Sequence, residues 1–157
     1  MAKTDVTLTD ADRAILRHIQ RDGRMTNQAL AEATSMSASA CWRRVQALED
    51  SGVITGYRAE VDPVRAGLRF GALVAVTLSR ATPGADQRFA EIAAARPEIL
   101  QCFATAGRAD YALRVACEDV SHFNTFLAEV LRVEPAIASA ETSVVLDVLK
   151  DDSALPL

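Results

Sequence analysis

The segment from Ala38 to Ser51 constrains the fold of this chain more than any other part of its sequence. When each residue is advanced by about 100° around a helix axis, the small and apolar residues of the segment share one narrow stripe. The stripe consists of Ala38, Cys41, Val45 and Leu48. Ser37 precedes the segment as a typical N-cap, and Gly52 follows it as a left-handed C-cap. The pattern predicts an amphipathic helix whose stripe faces a core.

The outward face of this predicted helix is small at its start and cationic further along. Arg43 lies opposite the stripe, and the residues that flank it are Ser39, Ala40, Gln46 and Ala47. Small residues allow a helix to enter the major groove of DNA closely, and an arginine can bind guanine or a phosphate. Trp42 and Arg44 lie at the two borders between the faces, where we expect Trp42 to pack against the protein rather than read bases.

Two shorter helical segments precede this one. Thr9 caps the first in a capping-box arrangement with Asp12, and Asp22-Gly23 ends it. Its apolar stripe consists of Ile15, Leu16 and Ile19. Thr26 caps the second. Three helices with a short turn between the second and third predict a helix-turn-helix that binds DNA. The alternative is a three-helix bundle with a solvated polar face.

The charge of the chain is unevenly distributed. The net charge is −4 and the isoelectric point is about 5.2. Residues 1–61 carry eight lysines and arginines, Lys3 among them, and eight acidic residues, including Asp5. The acidic excess therefore belongs to the rest of the chain. A neutral module can still bind phosphate when its cations share one face, so this balance is compatible with DNA binding.

The composition is typical of a soluble globular protein with one medium domain or two small ones. No apolar run approaches the roughly 20 residues that cross a bilayer, and residues 1–12 are unlike a signal peptide. The cysteines are odd in number and widely spaced, which argues against a disulfide framework or a zinc site. They are Cys41, Cys102 and Cys117. We expect a cytoplasmic protein with no membrane partner, no metal and no cofactor.

A pattern of period two marks a second module. Residues 57–61 alternate as a short strand and end a first domain of residues 1–61, and residues 62–68 are a linker to a domain of residues 69–157. In that domain we expect strands over 70–78, 99–105, 111–117 and 137–149, and helices that begin at the caps Thr82 and Asp119. The inner stripe of the second helix is Val120, Phe123, Leu127 and Val130. The order βαββαβ predicts a ferredoxin-like α+β domain.

Four strands with two helices on one face leave the other face of the predicted sheet uncovered. Such a face still has apolar surface to bury, which predicts that the chain associates with copies of itself.

Several stretches along nearly the whole chain follow the pattern of one known family. They are Leu8–Leu16, Gln20–Arg24, Ser37–Val45, Leu48–Tyr57, Pro97-Glu98, Gly107–Tyr111, Thr142-Ser143 and Leu155–Leu157. In these stretches the chain resembles the Lrp/AsnC family of feast/famine regulators. The resemblance implies a winged-type helix-turn-helix followed by a βαββαβ domain of the RAM or ACT type. It also implies binding to double-stranded DNA, assembly into dimers, tetramers or octamers, and control by an amino acid or small metabolite.

A dimer of this kind places two third helices in successive major grooves, about one DNA turn apart. We expect Arg44 to contact phosphate. The residues expected to contact base edges are Ser39, Ala40, Arg43 and Gln46. Asn27 and Ser37, near the starts of the second and third helices, complete the predicted DNA-binding set.

The loop from Gly107 to Asp110 is the candidate effector site. Backbone N–H groups beside Gly107, together with Arg108, can hold a carboxylate, and Asp110 can accept a hydrogen bond from an ammonium group. An ordinary glycine hairpin is the alternative. Family position adds the residues that would line a pocket across subunits: Ala104, Val120, Ser143, Val144 and Val145. Their small or apolar character favours a hydrophobic or aromatic effector.

The chain departs from the family pattern at two positions. Trp42 stands where the family usually has an aliphatic residue. Ala106 replaces a serine or threonine, which removes a hydroxyl group from the effector loop and puts the affinity for an effector, or its identity, in question.

Two other functions remain open. Sirohaem decarboxylases resemble this family in both domains, but they rely on histidine, and this chain has only His18 and His122. The other alternative is a regulatory subunit that no longer binds DNA. The sequence offers no histidine pair, phosphate-binding glycine loop or activated nucleophile, so we name no catalytic residue and expect regulation rather than catalysis.

Overall fold

A computed structural model describes residues 6–151 and 154–157 of the chain. Lys3 and Asp5, which belong to the charge balance of the first module, lie outside these ranges, as do positions 152–153 of the predicted second domain. Within the described ranges, no helix combines the length and apolar character that crossing a membrane requires.

The chain divides into two compact units. One consists of Met1–Glu60 and Lys150–Leu157, and the other is Val61–Leu149. This division differs from the predicted domains in two respects. The expected linker belongs to the second unit, and the last part of the sequence belongs to the first.

Three helices build the first unit. They are α1 (Asp10–Ile19), α2 (Asn27–Ala33) and α3 (Ala38–Asp50). Each begins after the predicted cap, because the hydroxyl oxygens of Thr9, Thr26 and Ser37 accept the backbone N–H three residues further on. A cap of this kind stabilises a helix by about 1 kcal/mol. The predicted helix starts are thus confirmed.

The core of the first unit lies between these helices. Its buried residues are Ile15, Leu16, Leu30, Ala31, Cys41 and Leu48. The predicted stripe of α3 is confirmed at Cys41 and Leu48 and is half-buried at Val45, but Ala38 is exposed because the first turn of α3 lies beyond the core. Trp42 is 56% exposed, so the expectation that it packs against the protein is wrong.

The last residues of the chain pack against α1. The guanidinium of Arg17 donates a hydrogen bond to the carbonyl oxygen of Leu157 at 3.1 Å. The side-chain amide of Gln20 donates to the carbonyl oxygen of Leu155 at 3.4 Å and accepts from its N–H at 2.6 Å. Leu157 also packs against the apolar core of the first unit. These contacts explain why this segment belongs to the first unit.

The strand expected over residues 57–61 is absent. Positions 55–62 have no regular secondary structure. Alternating side chains predict a strand only where another strand offers backbone partners, and no strand of the described residues pairs with this segment.

The second unit has the predicted βαββαβ order. Its strands are β1 (Phe70–Leu78), β2 (Ile99–Ala104), β3 (Tyr111–Cys117) and β4 (Ile137–Val144). Its helices are α4 (Ala85–Ala95) and α5 (Val120–Phe126), and a π-helical segment, Leu127–Leu131, continues α5. All neighbours in the sheet are antiparallel, in the order β2-β3-β1-β4. The ferredoxin-like α+β architecture is therefore confirmed.

Several details of this unit differ from the prediction. Helix α4 begins at Ala85 rather than after Thr82, because the Thr82 hydroxyl donates to the carbonyl oxygen of Pro135 at 2.9 Å instead of capping. Strand β4 ends at Val144 rather than at residue 149. Val120 is 56% exposed, so it does not belong to the inner stripe of α5.

The sheet buries one face and exposes the other. The buried core includes the β-strand residues Val74, Val76, Leu113 and Val115 and the helix residues Phe89 and Phe126. On the opposite face the side chains of Leu73 and Phe103 are 53% and 54% exposed. The uncovered face expected from the topology is thus present in the chain.

Candidate functional site

The outward face of α3 carries the predicted DNA contacts. Ser39 and Arg43 are exposed, one turn apart on this face. Arg43 forms no ion pair with any described residue, so its guanidinium is available for a phosphate or a base edge. Ala40 is half-buried and lies with Arg43 and Arg44 along a groove between α3 and the start of α1.

Two other predicted DNA contacts shape the start of α3. The side-chain amide of Asn27 donates a hydrogen bond to the carbonyl oxygen of Ala38 at 2.9 Å, which joins the start of α2 to the start of α3. The Ser37 hydroxyl accepts the N–H of Ala40 at 3.3 Å and lies 3.4 Å from the hydroxyl of Ser39. Both side chains therefore position the first turn of α3.

Arg44 is engaged within the protein. Its guanidinium lies 2.8 Å from a carboxylate oxygen of Asp12 and 3.2 Å from the hydroxyl of Thr9. Partial burial of Asp12 raises its pKa, but the hydrogen bonds from Thr9 and the interaction with Arg44 outweigh this effect. The pKa of Asp12 lies below the ordinary value of 3.8 as a result. Arg44 thus fixes α3 against α1.

Gln46 is also held by a neighbour. Its side-chain amide donates to a carboxylate oxygen of Glu49 at 2.7 Å, and the hydroxyl of Tyr57 donates to the other oxygen at 2.9 Å. Burial and the adjacent Glu49 carboxylate raise the pKa of Tyr57. Of the residues expected at base edges, Ser39 and Arg43 are the most exposed, whereas Ala40 and Gln46 are half-buried.

Trp42 is the residue of this surface whose environment was predicted wrongly from the sequence. It is one of the largest side chains of the chain and is 56% exposed on α3 beside Arg43. Its position at the border of the apolar stripe allowed either environment, since periodicity does not reveal how widely neighbouring helices cover a border residue.

The candidate effector loop is joined to β1 by hydrogen bonds of the backbone and the side chain of Asp110. Asp110 donates its N–H to the carbonyl oxygen of Val76 at 3.0 Å, and one of its carboxylate oxygens accepts the N–H of Leu78 at 2.7 Å. Across the loop, the N–H of Thr105 donates to the carbonyl oxygen of Asp110 at 2.8 Å. Asp110 therefore shapes the loop, whatever it binds.

The tip of the loop is open to solvent. Ala106, Gly107 and Arg108 are all exposed. Gly107 does not have a positive φ, and nothing lies within 4 Å of the place where a Cβ atom would stand. The backbone at Gly107 is therefore approachable by a ligand or a second chain.

The predicted effector residues form two groups at opposite ends of the sheet. Ala104 and the loop that follows it lie at one end, where Tyr111 pairs with Val76. Val144 pairs with Ala72, four residues back along β1, or about 13 Å at 3.3 Å per residue. Ser143 and Val145 adjoin Val144, and Val120 follows β3 at that same far end. A single chain therefore does not bring the two groups together.

A metal centre has no support in the described part of the chain, where no group of three or more histidines, cysteines and carboxylates is placed to hold an ion.

Two family models match the two units. The model of the Lrp/AsnC ligand binding domain matches residues 71–155, and the model of a winged helix-turn-helix DNA-binding domain matches residues 8–55. The HTH-type transcriptional regulator AldR of Mycolicibacterium smegmatis is 33% identical over 148 residues, which are 94% of this chain and 86% of that protein.

Other relatives match over similar lengths. The leucine-responsive regulatory protein of Rhizobium meliloti is 34% identical over 146 residues, 93% of this chain and 94% of that protein. A solved structure of a transcriptional regulator from Neisseria meningitidis in complex with L-methionine is 34% identical, with a TM-score of 0.92. The match covers 96% of this chain and 97% of the Neisseria meningitidis chain. The relatives named here are transcription regulators rather than enzymes.

Proposed function

The chain belongs to the Lrp/AsnC family of transcriptional regulators, and we propose that α3 is the element through which it contacts specific DNA sequences. As a regulator of this family it binds DNA and responds to an amino acid or a related metabolite. The observation that carries the proposal is the outward face of α3, where the exposed Arg43 follows the exposed small residues Ala38 and Ser39.

The two arginines of α3 have different parts in this proposal. Arg43 contacts a base edge or a phosphate, because it is exposed and forms no ion pair with a described residue. Arg44 holds α3 in place through Asp12 and adds positive potential without a direct contact. Ser39 and the first turn of α3, shaped by Asn27 and Ser37, approach the groove closely.

The effector binds between subunits in this proposal. The loop from Gly107 to Asp110 of one chain and residues 143–145 with Val120 of another form one pocket, because the two groups are about 13 Å or more apart within a chain. The relative solved with L-methionine makes that amino acid the first probe, and the small and apolar lining suits its thioether side chain.

Assembly through the uncovered sheet face supplies the second subunit. Leu73 and Phe103 lie on this face with the polar residues Gln101, Arg114 and Glu141, around a shallow depression. Two such faces packed together bury apolar surface that one chain leaves in water. We expect a dimer as the basic assembly, from which tetramers or octamers are built, and we place the protein in the cytoplasm with the DNA it regulates.

A footprint on the DNA that flanks its own gene tests the DNA-binding proposal. We expect protection of two half-sites about one helical turn apart. The position of the protected sites should change when L-methionine or another amino acid is added, and the affinity for DNA should fall steeply as the salt concentration rises. Protection without any sequence preference, or an affinity that is independent of salt, would contradict it.

The alternative of a sirohaem-decarboxylase-like enzyme has a separate test. The two histidines of this chain, His18 and His122, lie on α1 and α5, which belong to different units. Purified protein that shows no haem-like absorbance and no spectral change with added tetrapyrrole speaks against this enzyme, whereas tight tetrapyrrole binding would support it.

A further inference from the structure

The exposed indole of Trp42 continues the DNA-facing surface of α3. Trp42 lies one position before Arg43 and one turn after Ala38 and Ser39, and all four residues are exposed. Residues three and four apart are neighbours on a helix surface, so these side chains form one contiguous patch. Tryptophan side chains are highly buried on average in folded proteins, yet Trp42 remains 56% exposed.

The neighbours of Trp42 leave room for a partner to approach. Ala38 and Ser39 are small, so they do not shield the indole from a surface that comes from the start of α3. Gln46, one turn further along, is drawn toward Glu49 by a hydrogen bond of 2.7 Å. The Glu49 carboxylate also accepts a hydrogen bond from the hydroxyl of Tyr57. Gln46, Glu49 and Tyr57 are therefore bound to each other, whereas the indole of Trp42 stays exposed beside Arg43.

We infer that Trp42 is a specificity-determining residue, which places its indole in the major groove against an apolar base edge such as the thymine C5-methyl group. Major-groove recognition combines hydrogen bonds with apolar contacts of this kind, and the thymine methyl group is the apolar feature there. Arg43 supplies the charged contact next to it, and the indole supplies a contact that hydrogen-bonding residues cannot make. The inference rests on the proposed role of α3 in DNA binding.

Trp42 is the only tryptophan of the chain, so its fluorescence reports on this one position. The probe is a duplex that the wild-type protein itself selects from a random library, and a duplex that it rejects is the control. With the selected duplex we expect a blue-shifted emission and at least about twofold weaker quenching by acrylamide. Emission and quenching that stay unchanged when the duplex is bound would overturn the inference.

The same experiment distinguishes DNA from a second copy of this chain as the group that covers Trp42. If the indole is already shielded from acrylamide in the DNA-free protein, and becomes accessible on dilution, it lies in a protein interface and the inference is wrong. Equal accessibility at all concentrations before DNA is added supports it.

Variants identify the base contact. Because Trp42 is exposed, Trp42→Leu and Trp42→Phe should unfold at the wild-type temperature. We expect Trp42→Leu to bind the selected duplex on the order of tenfold more weakly, within the range of a single lost base contact, and Trp42→Phe to lose less. Repeated selection with Trp42→Leu should change the preferred base at one pair of symmetric positions. Replacing thymine by uracil there, which removes only the methyl group, should weaken wild-type binding and leave Trp42→Leu unaffected.

Arg43→Ala separates the inference about Trp42 from the proposal that α3 contacts DNA. If Arg43→Ala weakens binding while Trp42→Leu keeps both affinity and base preference, Trp42 has no role in specificity and α3 still contacts DNA. If both variants bind as the wild type does, the assignment of α3 as the DNA-contacting helix is wrong as well.

Discussion

Arg44 on α3 lies 2.8 Å from the carboxylate of Asp12 on α1. Asp12 is also the acid of the capping box at Thr9, so one carboxylate caps the start of α1 and binds an arginine of α3. Arg44, expected from the sequence to contact phosphate, is bound to Asp12, whereas its neighbour Arg43 is exposed and forms no ion pair with a described residue.

Replacing Asp12 by asparagine should lower the free energy of unfolding by about 1–2 kcal/mol at pH 7, because both a cap and a partly buried ion pair are weakened. Asp10→Asn, in the same first turn but exposed, is the matched control and should cost only a few tenths of a kcal/mol. Urea unfolding of the three proteins measures the difference. Equal losses in the two variants would contradict the role given to Asp12.

The contribution of Asp12 should depend on pH with a defined sign. Its pKa in the folded protein is lower than the ordinary value of 3.8, so the stabilisation is present above that value and is lost as the pH falls through the folded pKa. The difference between the wild type and Asp12→Asn should therefore be constant from pH 7 to about 5 and shrink below pH 4. A difference that grows with acid would refute this assignment.

Gly52 ends α3 with a φ of 71°, a left-handed conformation that favours glycine. Gly52→Ala should destabilise the first unit by about 1 kcal/mol, since an added Cβ strains this backbone although nothing crowds it. Gly107→Ala is the control, because Gly107 has open space and no positive φ. Thermal unfolding should separate the two variants, and a neutral Gly52→Ala would argue against a left-handed cap.

The starts of α1, α2 and α3 were predictable because a cap is a local interaction between residues three apart. Thr82 shows the limit of such local signals. It precedes a proline at a helix start, yet its hydroxyl binds the carbonyl oxygen of Pro135, which is 53 residues away. A distant acceptor decides the conformation there, and no short sequence window contains it.

Trp42 and Leu157 were misassigned for related reasons. Periodicity placed Trp42 at a border, but the extent to which other helices cover a border depends on their packing. Leu157 was assigned to the sensing domain by its position in sequence, whereas it packs on the core of the first unit. The split of the effector residues between two ends of the sheet likewise required the strand register, which sequence alone does not supply.

Leu157 should stabilise the first unit although it is distant in sequence. Leu157→Ala removes part of an apolar contact with the core and should lower the free energy of unfolding by about 1 kcal/mol. This loss is smaller than that for replacing a fully buried leucine, because Leu157 is only partly buried. Leu155→Ala is the matched control, because that side chain is 64% exposed. Amide hydrogen exchange of α1 should rise in Leu157→Ala and stay near the wild-type rate in Leu155→Ala. The opposite order would contradict the packing of Leu157.

A charge on the uncovered sheet face should disrupt self-association. Phe103→Glu places a carboxylate in the middle of the proposed interface, where burying it without a partner costs several kcal/mol. Val133→Glu, at a side chain that is 66% exposed and lies after α5, is the control. Analytical ultracentrifugation should show smaller species for Phe103→Glu only. An unchanged assembly would place the interface elsewhere.

The affinity of Arg43→Ala for a footprinted DNA fragment tests the central claim most directly, with Arg132→Ala, an exposed arginine of the second unit, as the control. We predict that Arg43→Ala abolishes sequence-specific binding, leaves the assembly intact and makes the remaining affinity less dependent on salt, while Arg132→Ala binds as the wild type does. Wild-type affinity in Arg43→Ala would contradict the account of α3 as the helix that contacts DNA.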